Sequence, residues 1–572
     1  MAKHDDVMNI HDELPPRVDN QTSVSLDTEF FGQIKGRLHR PHGTFACMQI
    51  GIDEDVYMVY DTEQIQPALN RIKNAKVICG HNLLYDFRQL RRFVPINRRY
   101  VWDSLIVEKL LYGGFYGNGE FSLSDLVRRY LDIVMDKSVR NQFITATSMT
   151  PELRHYAALD AYLTLQVMRK QEEVTAERGY DMRTYNEIDE PYLWATLDFL
   201  PIKVRVKRWL EMAEEFELLG RSIEAELNVN VYSHVDVKDV IQHKLRKTIK
   251  NTRAETLQNL DHPFVDRILE ARMYRKAAST YGKNWVKNFV EEDDLVYPDF
   301  CVTGASSGRV SCARPNLLQI PARRMPEYRE LFISRLGKLI VADVQAQEPR
   351  ILSYISKDKN LRAIFDNKQD VHLEVAHAAF NDDTFDADDP RRNIGKVINL
   401  ATSYGMTARG LADKLHISER DAEDFFRGYF SRFPNVKNYI DRQRYIAMRQ
   451  GYVESVSGRR IYVNSHSYQS ENVAINAPIQ SSGADFVKMW TNRMWQRCND
   501  EGLPFPVIGQ VYDELVLDSS KENVSAYKKM LKETANEVAG TLFGDTPWEI
   551  ETHVGKSWAC KKLEDDIEEM EE

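Results

Sequence analysis

Residues 506–518, PVIGQVYDELVLD, constrain the fold of this chain more than any other stretch. Apolar residues run on both sides of Asp513 and Glu514, so the segment reads as two strands joined at an acidic turn. Tight hairpin turns favour residues that tolerate positive φ, such as Asn-Gly, and Asp-Glu serves poorly there. Two carboxylates at a hairpin tip suit a different task, gripping a divalent cation. That reading needs further acids brought to the same place from elsewhere in the chain.

One such acid ends another strand. In GKLIVADVQAQEPRILS an apolar run leads into Asp343, with Glu348 and Arg350 beyond it. Pro349 suits the first turn of a following helix, where its missing N–H costs little. Downstream, RRNIGKVINLATSYG carries Arg392, Lys396, Leu400 and Tyr404 at steps of four. On a helix these form one slowly drifting face with two cations at its N-terminal end. Such a face can hold a triphosphate, whose charge needs fixed cations as well as Mg²⁺. Taken alone, the arginine and lysine are better explained by an amphipathic surface helix. Asp343 and Asp513 change that, because two such acids can share two Mg²⁺ ions for nucleotidyl transfer.

The N-terminal third follows a different pattern. Residues 24–168 alternate strand-like runs (VSLDTEF, DVYMVYD, AKVICGHN) with helix-like ones (SLSDLVRRYL, PELRHYAALDAYLTLQVM), an α/β arrangement. SLDTEF sets Asp27 and Glu29 two apart on a strand, so both emerge on one face. HNLLYD offers Asp86 after another strand. TPELRHYAALD predicts a helix with Thr150 as N-cap and Pro151 at its first position, carrying Tyr156 and Asp160 on one face. Four acids cannot gather without cations, so two Mg²⁺ ions about 3.5–4 Å apart are the natural guests, as in phosphodiester hydrolysis.

Bulk properties narrow the class. The 572 residues, 43% apolar and 28% charged, fit a soluble chain of several domains. No long uncharged apolar run predicts a transmembrane helix, and no apolar N-terminal segment predicts secretion, so the expected location is cytoplasmic. Six scattered cysteines without a CxxC pair fit a reducing compartment and argue against structural zinc. The net charge is −10, but the tail EDDIEEMEE (564–572) alone holds seven acidic residues and reads as an interaction arm. Basic runs at 88–99, 244–253 and 272–283 are the local surfaces that decide phosphate affinity, though any one alone is more simply a solvated helix face. Residues 187–290 read as mostly helical, before the Gly/Ser/Pro-rich loop TGASSGRVSCARPNLLQIP (303–321).

The order Asp-x-Glu, Asn-x-x-Tyr-Asp, Tyr-x-x-x-Asp resembles the proofreading 3′→5′ exonucleases of RNase H-like fold with a DEDD-type site carrying tyrosine. The resemblance implies that Asp27, Glu29, Asp86 and Asp160 bind metals and that Tyr156 orients the attacking water. The remainder resembles the family-A DNA polymerases. SGRVSCARPNLLQIP looks like the loop before the palm, DVQAQEPR like motif A, RNIGKVINLATSYG like motif B, QVYDE like motif C, and NAPIQSSGAD like a segment touching the minor groove. Their joint order is far more specific than any one motif. The resemblance implies a mixed α/β, multidomain fold: an RNase H-like exonuclease domain plus a right hand with an antiparallel palm sheet and helical thumb and fingers. The implied division is an N-terminal extension over 1–23, exonuclease 24–180, thumb 181–300, palm 301–360 and 456–563, fingers 361–455, and the tail 564–572.

Carried over residue by residue, Asp343 and Asp513 are the implied metal ligands, with Glu514 beside them. Arg392, Lys396 and His372 would hold the triphosphate, and Glu348 would close off the sugar 2′ position. Leu400 and Tyr404 would face the nucleotide and templating base. Arg309, Asn476, Gln480, Gln510 and Tyr512 would contact DNA, where minor-groove acceptors report pair geometry rather than sequence. The implied partners are primer–template DNA and dNTPs, with an unidentified helicase, single-strand-binding protein or clamp. The chain is expected to be a monomer without membrane attachment, using Mg²⁺ or, as a substitute, Mn²⁺.

Some positions depart from the family pattern. Val344, Gln345, Ala346, Gln347 and Pro349 differ in motif A, Leu400 stands where an aromatic residue is usual, Tyr512 replaces a histidine, and Asn472 replaces an arginine. Leu400 predicts discrimination against dideoxynucleotides. About twenty-three residues precede the exonuclease match, which implies a compact, phage-type replicase without a 5′-nuclease domain. Three alternatives stay open at this point: an exonuclease whose polymerase-like half only binds DNA, a polymerase adapted to a modified-base genome, and a phage-type RNA polymerase. Glu348 and the complete nuclease set argue against the last.

Overall fold

The computed structural model describes residues 8–32, 43–117, 119–322, 324–463 and 470–560; the acidic tail at 564–572 lies outside them. Among the described residues the N-terminal part builds a six-stranded sheet from β1 (Asn9–His11), β2 (Ser23–Phe31), β3 (Thr44–Ile52), β4 (Asp55–Val59), β5 (Val77–Gly80) and β6 (Val101–Asp103), in the order β1-β4-β3-β2-β5-β6. The sheet therefore begins before residue 24. Asn9–His11, within the stretch read as an N-terminal extension, pairs in parallel with β4 and supplies the edge strand.

β2 lies centrally, antiparallel to β3 and parallel to β5. Helix α1 (Leu83–Leu90) follows β5, and α2 (Pro151–Glu177) packs across β2 and β3. The predicted start of α2 is met: the Thr150 hydroxyl accepts from Leu153 N at 3.2 Å, and Pro151 occupies the first turn. That cap satisfies an N–H which the helix leaves unpaired. The contact with the sheet is close. Ser25 Oγ donates to Ala161 O at 2.7 Å, and a Cβ at Gly51 would stand 2.4 Å from that hydroxyl.

The rest of the chain centres on a four-stranded antiparallel sheet of β7 (Lys338–Val344), β8 (Val507–Val511), β9 (Glu514–Ser519) and β10 (Ile550–Gly555), ordered β8-β9-β7-β10. Ile340, Ala342 and Val344 of β7 and Leu515 and Leu517 of β9 point into one large apolar core. The opposite face, with Leu339, Val341 and Val516, packs on a second core that holds the stacked Trp209 and Trp285, 3.9 Å between centroids. Alternation along each strand thus buries both faces, as a sheet between two layers requires. Helices α3 (Val206–Leu227) and α4 (Pro263–Thr280) pack together on the Trp209 side. On the other side lie α5 (Gln347–Ser356), α6 (Val371–Phe380), α7 (Arg391–Ser403), α8 (Ser470–Glu501) and α9 (Val524–Phe543).

The acidic hairpin differs from its expected form. Val511 pairs with Glu514, so the turn is Tyr512–Asp513 and Glu514 already belongs to β9. Tyr512 takes the positive φ, at 58°. Of the two acids only Asp513 is at the tip, because the Val511–Glu514 pairing leaves the turn two residues, Tyr512 and Asp513.

Two features tie distant stretches of the chain together. The basic run 88–99 is spent on internal contacts: Arg91 reaches Asp198 at 2.6 Å, Arg88 reaches Asp299 at 3.4 Å, and the Arg98 guanidinium lies 5.1 Å from the Trp495 ring centre. The second is a buried ion quartet. Arg459 grips Asp189 with two bonds (2.9 and 3.0 Å) and Asp485 with two more (2.9 and 2.6 Å), while Lys488 Nζ lies 2.6 Å from Asp189.

Candidate active sites

The nuclease constellation assembles at one end of the first sheet. Strand alternation presents Asp27 and Glu29 on the same face of β2, and α2 brings Asp160 over them. One oxygen from each of the three falls within 4.8 Å of the others. Asp86 stands beside this group rather than in it. It is buried in the first turn of α1 and accepts from Thr28 Oγ1 at 2.6 Å.

The electrostatics are those of acids with too few cations. Burial pushes the Asp27 carboxyl up to about 6, with the Arg140 guanidinium pulling it back. Burial and then the Asp27 charge push Asp160 up to about 8. Glu29 and Asp86 are raised well above the usual range by burial first and by neighbouring carboxylates next. Asp160 Oδ1 has no hydrogen-bond partner among the described residues although it is buried. Converging oxygens, an orphaned buried acceptor and raised carboxyls fit a divalent cation. Tyr156 is held protonated, by burial first and then by Asp160 and Glu29. The phenol can therefore donate a hydrogen bond here.

Arg140 was not anticipated from sequence. It lies on the short helix Val139–Ile144, three residues before Phe143, whose ring contacts Phe31 (5.9 Å) and Tyr156 (6.4 Å). No periodic signal marks the stretch DKSVRNQ. The arginine acts through space, so only the folded chain reveals it.

The second constellation lines a cavity of about 280 Å³ beside the Tyr512–Asp513 turn. Residues from five separate stretches meet there: Arg309; Glu348; His372; Lys396, Leu400 and Tyr404; and Gln510, Tyr512 and Asp513. The steps of four along α7 carry Lys396, Leu400 and Tyr404 to the cavity as expected. Arg392 is not in its lining and pairs with Asp370 at 2.6 Å. His372 has its Nδ1 buried without a partner among the described residues, and burial, with Lys396 and Arg392 adding, lowers its pKa to about 4. It is a neutral imidazole at physiological pH.

The remaining predicted residues flank the cavity. Asp343, at the end of β7, stands opposite Glu514 in register. Glu514 is buried and accepts from Trp558 Nε1 at 2.7 Å and from Arg329 at 3.2 Å. Asp513 lines the cavity and Asp343 pairs in register with its neighbour Glu514, so the two strands bring two carboxylates, a donor type that suits a divalent cation, to this end of the sheet. Gln480 Nε2 donates to the Tyr404 hydroxyl at 2.9 Å, and Asn476 Nδ2 donates to Ser403 O at 3.2 Å, so both hold the end of α7. Gln510 Oε1 accepts from Tyr192 at 2.7 Å. Two lining amides were not anticipated: Gln347 Nε2 and both polar atoms of Asn399 are buried without partners among the described residues. Gln347 stands out in sequence only as a departure from the motif A pattern, and Asn399 sits unremarked beside Leu400.

Comparison with known proteins agrees with this geometry. A family model described as DNA polymerase family A matches residues 207–560, and one described as 3′-5′ exonuclease matches 10–175. The chain is 32% identical over 328 residues to DNA polymerase I of Caldicellulosiruptor bescii, a match over 55% of this chain and 38% of that protein. It is 33% identical over 332 residues to the thermostable DNA polymerase I of Thermus aquaticus, over 56% of this chain and 39% of that one. These matches span about two-fifths of the relatives' length. DNA polymerase I of Aquifex aeolicus aligns over 95% of this chain and 96% of its own, at 25% identity. Among solved structures, the POL domain of Pol1 from M. smegmatis, in complex with DNA primer-template and dNTP, superimposes with a TM-score of 0.80, covering 96% of this chain and all of that one at 23% identity. That likeness establishes the fold.

Proposed function

Because the chain belongs to DNA polymerase family A and carries a 3′-5′ exonuclease unit, we propose that it synthesises DNA on a template from dNTPs and removes mispaired primer ends at a separate nuclease site. The observation that carries this reading is the cavity beside Asp513. Residues scattered from 309 to 513 meet there, and their types match the parts of a nucleotide: cations for phosphates, a carboxylate beside the sugar, and an aromatic ring for a base. The substrates proposed are primer–template DNA and dNTPs, bound mainly through phosphates and so more weakly as salt rises.

Lys396 supplies a fixed positive charge to the triphosphate, and Arg392 joins it by exchanging its Asp370 partner for phosphate. His372, kept neutral, binds phosphate oxygen by hydrogen bonding rather than by charge. Glu348 occupies the space that a ribose 2′-hydroxyl would need. Tyr404, tied to Gln480, backs the templating base. Asp343 and Asp513 would hold two divalent cations in the polymerase site, and Asp27, Glu29, Asp86 and Asp160 would hold two in the nuclease site. When bound, these ions, Mg²⁺ with Mn²⁺ as substitute, lower the pKa of the attacking hydroxyl or water and neutralise the leaving oxygen. In the nuclease site Tyr156 orients the water through its O–H. Leu400 offers no hydroxyl to replace the 3′ one, so dideoxynucleotides should be poor substrates; efficient chain termination by them would refute that point.

The setting proposed is replication of a phage genome in a bacterial cytosol. The direct test is extension of an end-labelled primer with Mg²⁺, with and without dNTPs, beside Asp513→Ala and Asp27→Ala proteins. Extension lost only in Asp513→Ala, with primer shortening lost only in Asp27→Ala, is the expected pattern. Shortening without any extension would reduce the polymerase half to a DNA clamp.

A further inference from the structure

We propose that Arg309 is the positioning residue of the sugar gate: it holds Glu348 in the orientation that excludes ribonucleotides, and it is itself seated on the buried ion quartet. The proposal rests on the reading of the cavity as a nucleotide site with Glu348 beside the sugar.

The geometry begins at Glu348. It lies in the second position of α5, its side chain 17% exposed at the cavity wall, and its carboxylate accepts from Arg309 Nη2 at 3.1 Å. No other hydrogen-bond partner of that carboxylate exists among the described residues. The Tyr404 hydroxyl, also at the cavity, takes its hydrogen bond from Gln480 instead. A glutamate side chain has three rotatable bonds, so one charge-assisted contact decides whether its head stays at the sugar or swings away. Burial raises the Glu348 pKa, and Arg309 opposes that shift, so the same contact keeps the gate charged.

Arg309 is fixed in turn from behind. Its carbonyl accepts from Gly304 N (2.9 Å) and Ala305 N (3.1 Å), closing a tight loop. Gly308 sits at φ 79°, and a Cβ there would stand 2.5 Å from Arg459 Nε. The loop that presents Arg309 therefore rests directly on the guanidinium at the centre of the quartet. Arg459 cannot retreat, because Asp189 and Asp485 hold it on both sides. Both the left-handed backbone and the close approach demand glycine at 308. A rigid line runs from the quartet through Gly308 and Arg309 to Glu348.

The test measures kcat/KM for each dNTP and the matching rNTP in wild type, Glu348→Ala, Arg309→Gln, Arg309→Lys, Gly308→Ala and the Arg309→Gln/Glu348→Ala double variant, with thermal melting to confirm folding. Glu348→Ala should lower the dNTP/rNTP ratio about ten- to a hundredfold, the worth of a charge-assisted contact. Arg309→Gln should lower the ratio in the same direction, Arg309→Lys less, and the double variant no further than Glu348→Ala, since both act through one gate. Gly308→Ala should lower the ratio without touching the nucleotide. A ratio unchanged in Arg309→Gln, with dNTP and rNTP use falling together, would overturn the proposal and leave Arg309 a DNA contact only. A ratio unchanged in Glu348→Ala would instead defeat the sugar-gate reading on which the proposal rests.

Discussion

Two groups of buried acids in this protein have opposite company. Asp189 and Asp485 are fully buried, yet Arg459 and Lys488 sit between them at 2.6 to 3.0 Å, and Asp189 is held below its ordinary pKa by those cations despite its burial. Asp86 and Asp160 are buried and Asp27 and Glu29 partly so, and their carboxyls are pushed upward because desolvation and mutual repulsion outweigh Arg140, the arginine near them among the described residues. The first group is complete in charge and joins residue 189 to residues 459–488. The second is incomplete by construction, and the missing charge is what a bound cation supplies. A buried carboxylate therefore signals function less by its burial than by a shortage of cations around it.

Substitutions can break this contrast, the largest effect first. Asp27→Asn should cut primer shortening by at least about 10³-fold, as for loss of a catalytic group. In chelator it should leave the melting temperature equal or higher, because it removes a charge from a repelling set. A marked loss of stability would mean that the acids support one another structurally. Asp189→Asn should do the reverse: unfolding in denaturant should show about 3–5 kcal/mol lost, since Arg459 and Lys488 are left partly unpaired in the interior.

Proton linkage sharpens the same contrast. Raised carboxyls mean that the metal-free folded state binds more protons than the unfolded one between the ordinary carboxyl range and about pH 8. The stability they contribute is thus present at low pH and lost as pH rises through their folded pKa values, about 6 for Asp27 and about 8 for Asp160. With chelator, calorimetry from pH 5.5 to 8.5 should show a fall in melting temperature that Asp160→Asn flattens. Added Mg²⁺ should stabilise more at pH 8.5 than at pH 5.5, and equal stabilisation at both would count against metal binding by ionised carboxylates. The smallest effect belongs to exposed pairs. Breaking Arg497–Glu501, paired at 2.7 Å on the surface of α8, should change stability by about 0.5 kcal/mol or less.

How much of this was legible in advance varied with the range of the interaction. Asp27 and Glu29 on one strand face, Tyr156 and Asp160 on one capped helix, and Lys396, Leu400 and Tyr404 on one helical stripe follow from local periodicity, and each arrives where that period sends it. The edge strand Asn9–His11 was missed because three residues carry no period and pair with a strand more than forty positions away. The arginines of 88–99 looked like solvent-facing charge because their partners, Asp198, Asp299 and Trp495, lie one hundred to four hundred residues downstream. The turn at Tyr512–Asp513 was misjudged by one residue, since strand register depends on pairing that composition does not report.

By itself the sequence determined which chemical groups are available and, over one or two turns or a single strand, which of them share a face. That much follows from backbone geometry, which is the same in any protein. Only the tertiary structure decided which groups meet across the chain: Arg140 over the nuclease acids, Arg309 on Glu348, and Arg459 between two aspartates. The reason is electrostatic. The strength of a charge pair depends on separation and on how much water lies between, and both are properties of the folded interior rather than of the order of residues.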